Sequence, residues 1–182
     1  MTTQLSARER VLLAFEDLLI SDGERAATLD AVAAAAGVSK GGLLYHFKSR
    51  EALTAGLVAK MREQAETDFA QMRIAPEGGA HYYVKTSVVG DSTFDRTLIA
   101  AMRLAQGEDH TVRAAFEELH TTWLELLLAD VGDPAIARAI MLIGDGLYYN
   151  AALFGIPPSN EAQGEMQALL DVVAELKSRG RS

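Results

Sequence analysis

The stretch from Thr28 to Phe47, TLDAVAAAAGVSKGGLLYHF, restricts what this chain can fold into more than any other. Thr28 is a good N-cap, and Leu29, Val32, Ala33 and Ala36 recur as the apolar stripe of a short helix. Gly37 follows at once and suits the left-handed residue that ends it. Ser39 is again an N-cap, opening a second helix of about two turns, Lys40 to His46. Two short helices joined by so tight a turn form a helix-turn-helix, whose second helix enters the major groove of DNA.

The chemistry of that second helix agrees. No acid lies between Ser39 and Arg50, while Lys40, Lys48 and Arg50 are basic and His46 adds partial charge. Gly41 and Gly42 each cost helix stability, on the order of 1 kcal/mol, and allow close approach to a partner; with Leu43 they are expected to sit nearest the base edges. Tyr45 and His46 can donate to phosphate oxygens, and Phe47 is apolar enough to lock the helix to its neighbours. A solvated basic turn between two core helices is the plainer reading of the same spacing.

The run GVSKGGLLYHFKSREAL, read with Thr28 to Gly37, resembles the signature of the TetR family (tetracycline-repressor-like transcription regulators), roughly V-S-x-G-x-L-Y-x-H/Y-F-x-S-K-E-A-L. Cap, glycine, Phe47 and the second cap at Ser49 keep one register throughout. The tyrosine of that pattern falls at Leu44, and the tyrosine here is its neighbour, Tyr45. The resemblance implies an all-α chain: a three-helix DNA-binding domain, then a helical domain that binds an inducer and a second copy. It also implies that DNA is released when the inducer binds.

Charge distribution reconciles an acidic chain, net −8, with a nucleic-acid partner. Residues 1–60 carry seven basic and seven acidic side chains, and residues 61–182 carry ten against eighteen. All the surplus acid therefore lies outside the proposed DNA-binding end, which weakens nonspecific binding. The 49% hydrophobic residues suffice for a buried core, and no run reaches the roughly 18 apolar residues of a membrane span. The first ten residues lack the apolar core of a signal peptide, and without cysteine there is neither disulfide nor thiolate metal site. A cytoplasmic protein is expected, with no membrane partner.

A capping box, Ser6 to Glu9, starts the first helix, with Leu12, Phe15, Leu18 and Leu19 at helical spacing before Ser21-Asp22-Gly23. Ser49 caps a long helix over about 50–72, which presents Lys48 and Arg50 to the DNA backbone and joins the two domains. A DNA-binding domain over 1–48 and a ligand-binding and dimerisation domain over 49–182 are expected, with helix 49–74 connecting them. Beyond the break at Pro76-Glu77-Gly78-Gly79, helical patterns cover 80–89, 93–106, 109–130, 134–154 and 160–178, about nine helices in all.

The segment 134–154 is nearly all apolar yet holds Asp145 between two glycines, with Tyr148 and Tyr149 three and four residues on. Phe116, His120 and Trp123 share a stripe of the segment before it, and Leu98 and Met102 come from the helix preceding that one. Aromatics, methionine and one carboxylate suit a flat, lipophilic and possibly cationic effector. Each of these residues is equally compatible with plain packing, and Asp145 with a buried structural carboxylate. The last helix carries Met166, Leu169, Leu170, Val173 and Leu176 as one stripe. It suits a four-helix bundle with a second copy, the alternative being closure of its own domain's core. A palindromic double-stranded operator goes with such a homodimer.

Enzyme chemistry finds no foothold. There is no Cys, no G-x-S-x-G, no H-E-x-x-H and no phosphate-cradling loop. His110 and His120 with Asp109 or Glu117 could be argued as a metal cluster, but the two histidines, ten residues apart, do not share one helix face, so no metal and no cofactor are expected. The reading carried forward is a ligand-responsive DNA-binding repressor. Its alternative is a dimeric DNA-binding interaction protein or activator without a small-molecule pocket.

Overall fold

Hydroxyl caps start the first helices. In a computed structural model, which describes residues 5–88, 92–106, 110–154 and 159–180, helix α1 spans Ala7–Ser21. The capping box forms: the Glu9 N–H donates to Ser6 Oγ at 3.2 Å and the Ser6 N–H donates to Glu9 Oε2 at 2.7 Å. Thr28 caps α2, Leu29–Ala35, through the Ala31 N–H at 3.2 Å, and Ser39 caps α3, Lys40–His46, through the Gly42 N–H at 3.0 Å. Gly37, with φ +64°, turns the chain between them in the left-handed region that an L side chain avoids. Ser49 accepts from the Ala52 N–H at 3.2 Å and opens α4, Arg50–Ile74.

The remaining helices are α5 Gly79–Thr86, α6 Thr93–Ala105, α7 His110–Val131, α8 Pro134–Phe154 and α9 Ser159–Gly180. The described residues contain no strand, and among them no helix is long and apolar enough to cross a membrane. Helix α5 stops three residues short of the expected 89. The Ser87 N–H and hydroxyl both turn back to the Tyr83 carbonyl, at 3.0 and 2.7 Å, and that local bonding competes with further helix. The breaks expected at Gly90-Asp91, Gly107-Glu108-Asp109 and Gly155-Ile156-Pro157-Pro158 lie outside the described residues.

Packing divides the chain into two units, Met1–Gln64 with Thr93–Phe116, and Ala65–Ser92 with Glu117–Ser182. Helices α4 and α7 run without interruption from one unit into the other. This division differs from the boundary expected at residue 48, because α6 packs on α1 inside the first unit.

The first unit is built on Val11, Phe15, Leu19, Leu43, Leu53 and Leu57, all without exposed surface. Within it lies Glu16, equally inaccessible to solvent. Both of its oxygens accept from Lys60 Nζ, at 2.8 and 2.9 Å, and Oε1 also accepts from the Thr97 hydroxyl at 2.8 Å. A buried carboxylate is tolerable only when so paired. Here it ties α1, α4 and α6 at one point.

In the second unit, Asp130 on α7 accepts from Lys177 Nζ at 2.6 and 2.8 Å and from the Ala80 N–H, at the start of α5, at 3.0 Å. Leu170 and Val173 bury in this unit's own core, so much of the α9 stripe expected to meet a second copy closes its own unit instead. Among the described residues of this unit's last three helices, the large apolar side chains left exposed are Leu128, Leu142, Tyr149 and Val172.

Glu16→Ala removes one member of a buried pair and leaves the Lys60 ammonium uncompensated. The unfolding free energy should fall by about 3 kcal/mol, read from denaturant midpoints at fixed protein concentration. A loss under about 1 kcal/mol would mean that the cluster contributes no more than a surface pair.

Candidate functional site

Seven residues of α3 and the turn after it present the basic surface expected from the sequence. Tyr45 is 82% exposed and meets the His46 ring edge-on, with centroids 5.1 Å apart. Lys40, Gly41, His46 and Lys48 are also exposed. A Cβ added to Gly41 would meet nothing within 4 Å, whereas one on Gly42 would press on Ser39 Oγ at 3.2 Å. No neighbour in the chain therefore requires a glycine at position 41, and its bareness faces outward. The Thr28 and Ser39 hydroxyl oxygens accept the capping bonds, which leaves each O–H proton available for donation outward.

Two expected contacts are placed otherwise. Leu43, assigned near the base edges, has no exposed surface and belongs to the core of the first unit. A two-turn helix lying on a core must turn one side inward, and Leu43 is that side; Leu44 is half-buried. Arg50 turns inward as well: its guanidinium donates to the carbonyls of Ala27 and, at 3.4 Å, Glu24, and lies 4.6 Å over the Phe15 ring. Lys40 pairs with Asp30 across the turn at 2.9 Å, with both side chains more than half exposed. Such a pair is worth little and releases the lysine readily.

The second unit gathers part of the expected effector set around two carboxylates. Asp145 Oδ1 accepts from the Tyr83 hydroxyl at 2.9 Å, and His120 Nε2 lies 3.9 Å from the same oxygen. Trp123 meets the rings of Phe69, Tyr83 and His120 edge-on at 5.6 to 5.9 Å. Its indole N–H donates to Asp68 Oδ2 at 2.9 Å, and the Tyr82 hydroxyl donates to Asp68 Oδ1 at 3.0 Å. Burial, and then the Asp145 charge, push the Tyr83 phenol well above its ordinary value; burial and Asp68 do the same for Tyr82. Both tyrosines therefore stay protonated and serve as donors.

Of the residues expected at this site, His120, Trp123 and Asp145 come together, and Tyr148 is half-buried on the same helix as Asp145. Tyr149 stands 58% exposed, outside the cluster. Leu98, Met102 and Phe116 belong to the first unit, where Leu98 is buried and the other two half-buried. Sequence reasoning missed Asp68 and the bond from Tyr83. One signal was available for the second: a Cβ on Gly144 would come within 2.4 Å of the Tyr83 ring, so the glycine before Asp145 admits that tyrosine. Gly146, on the other side, has open space around it.

Two family models match the chain. That of the bacterial regulatory proteins of the tetR family covers residues 12–57, and that of the tetracyclin repressor-like C-terminal domain covers residues 78–175, more than half of the chain. Among solved structures, a transcriptional regulator from Rhodococcus sp. Rha1 is 18% identical with a TM-score of 0.74, over 93% of this chain and 97% of that one. The multidrug binding protein EbrR complexed with malachite green is 22% identical with a TM-score of 0.67, over 93% and 96% of the two chains. Complexed with ethidium, EbrR aligns with 21% identity and a TM-score of 0.62, over 94% and 98%. At such identities the likeness establishes the all-α fold.

The raised tyrosines have a measurable sign. A phenol whose pKa is higher folded than unfolded adds stability that is complete below the ordinary value of 10.0 and is lost as pH rises beyond it. In an ultraviolet titration of the folded protein, a late-ionising tyrosine fraction should appear, and Asp145→Asn should shift part of it to lower pH. If all five tyrosines titrate together at the ordinary value, the buried hydrogen bonds to Asp68 and Asp145 are not made.

Proposed function

The chain belongs to the TetR family of bacterial transcriptional regulators, which bind DNA and are not enzymes, and from that premise we propose a repressor that leaves its operator when a lipophilic, cationic effector occupies the second unit. The observation that carries the DNA half of this reading is the acid-free, exposed surface of α3. In it, Lys40, Tyr45, His46 and Lys48, with the hydroxyls of Thr28 and Ser39, take phosphates. Gly41 and Gly42 lie nearest the base edges. Leu43 supports the helix from beneath, and Arg50, engaged inward, is left out of the contact set.

The effector half is supported by the pairing of Asp68 and Asp145 with Trp123, Tyr82, Tyr83, Phe69 and His120. Aromatic faces and carboxylates together suit a delocalised cation. EbrR, which shares the fold, was solved with two cationic dyes, malachite green and ethidium.

A second copy of the chain is part of the proposal. Leu142 and Tyr149 on α8 and Val172 on α9 are exposed apolar side chains of the kind a partner covers. Two α3 helices roughly 34–36 Å apart would then enter successive major grooves of a palindromic operator in the cytoplasm. Effector binding displaces α4, the helix with residues in both units, and alters that separation. The coupling is reciprocal, so operator DNA must weaken the effector by the same factor.

Two measurements test this. On a duplex selected by the wild-type protein from a randomised library, Lys40→Glu with Lys48→Glu should weaken binding and lower the slope of log affinity against log salt by about two. An unchanged slope would remove α3 from the interface. In a thermal-shift panel, lipophilic cations should raise the melting midpoint by mass action, and less so in Asp145→Asn. A panel in which only lipophilic acids stabilise the protein contradicts the cationic assignment.

A further inference from the structure

We propose that Arg50 is a positioning residue for the helix-turn-helix, clamping the start of α4 to the loop that enters α2, rather than a contact to the DNA backbone. The first residue of the helix after α3 is basic and half-buried, a position where a phosphate contact is the natural first assumption. Its geometry says otherwise. The guanidinium fork reaches back across the fold to the Ala27 and Glu24 carbonyls, and its plane lies over Phe15 at 4.6 Å.

Two of the three partners are buried. Ala27 and Phe15 have no exposed surface. The Ala27 residue also borders a solvent-open depression, so losing its donor costs a hydrogen bond and leaves the carbonyl within reach of water. Thr28, the next residue, caps α2 through the Ala31 N–H at 3.2 Å, so a bond to Ala27 O sets where α2 begins. At the other end, Ser49 caps α4 immediately before Arg50, at 3.2 Å to the Ala52 N–H. Arg50 therefore joins the loop that enters α2 to the first turn of α4, and α3 lies in the segment strung between those two points.

Swinging the guanidinium out to a phosphate would forfeit both carbonyl bonds and the ring contact at once. A shallow depression of about 340 Å³, bordered by Glu24, Arg25, Thr28, Leu29 and Arg50 among others, gives solvent access to this clamp. A phosphate could enter there, so the two roles need an experiment that separates them.

Lys and Arg carry the same charge but differ in shape. Lysine offers a point charge with no planar fork and cannot hold two carbonyls while lying flat on a ring. Arg50→Lys thus preserves a phosphate contact and destroys a clamp. Two readouts follow. In hydrogen exchange on the free protein, the amides of Ala31 and Val32, which bond to Thr28, should exchange several-fold faster in Arg50→Lys than in the wild type. In titrations of the library-selected duplex, Arg50→Lys should bind about tenfold more weakly at every salt concentration, with an unchanged salt slope and a melting midpoint close to the wild type.

The titration arm rests on the DNA-binding function proposed above, and the exchange arm does not. Wild-type-like exchange at those amides would overturn the proposal whatever the protein does with DNA. Wild-type affinity in Arg50→Lys, coupled with a salt slope lower by about one in Arg50→Ala, would also overturn it and return Arg50 to the phosphate contacts. Faster exchange together with no binding of any duplex by the wild type would leave the clamp standing and reject the DNA-binding function alone.

Discussion

A helix of seven residues cannot hold its own position, because isolated helices shorter than about 12 residues are marginal in water. Everything proposed for α3 depends on how its two ends are fastened. At the entrance, the Val38 N–H donates to the Ala33 carbonyl at 3.0 Å and Ser39 caps the helix. At the exit, Phe47 is buried, with the Arg8 guanidinium 5.2 Å over its ring. The ring sits so close to α4 that a Cβ on Gly56 would come within 2.6 Å of it. Gly56 is thus the position at which α4 yields space to the recognition helix.

The platform beneath extends further than three helices. Glu16 binds Lys60 of α4 and Thr97 of α6 together, so α6 is part of the body that carries α3. Two long helices, α4 and α7, contribute residues to both units. A neutral first third and an acidic remainder keep the surplus negative charge out of residues 1–60.

What could be read in the sequence was what is local. Ser6, Thr28, Ser39 and Ser49 each act within four residues of themselves, and all four cap the helices expected of them. Gly37 takes its positive φ for an equally local reason. The inward side of α3 is not readable from sequence, since two turns contain too few residues to define a stripe, and only the packing shows that Leu43 is on it. Asp68 was invisible because its partners, Tyr82 and Trp123, are 14 and 55 residues away. The stripe of α9 was correctly seen as apolar, yet periodicity alone does not say whether Leu170 and Val173 face their own unit or another copy.

Methylation protection at guanine N7, an atom that lies in the major groove, tests the seating of α3 most directly. On a duplex selected by the protein from a randomised library, protected guanines should fall in two symmetric groups with centres roughly 34–36 Å apart along the axis. A footprint on the backbone with every guanine N7 still reactive would contradict it, for then the protein would hold DNA without placing a helix in the groove.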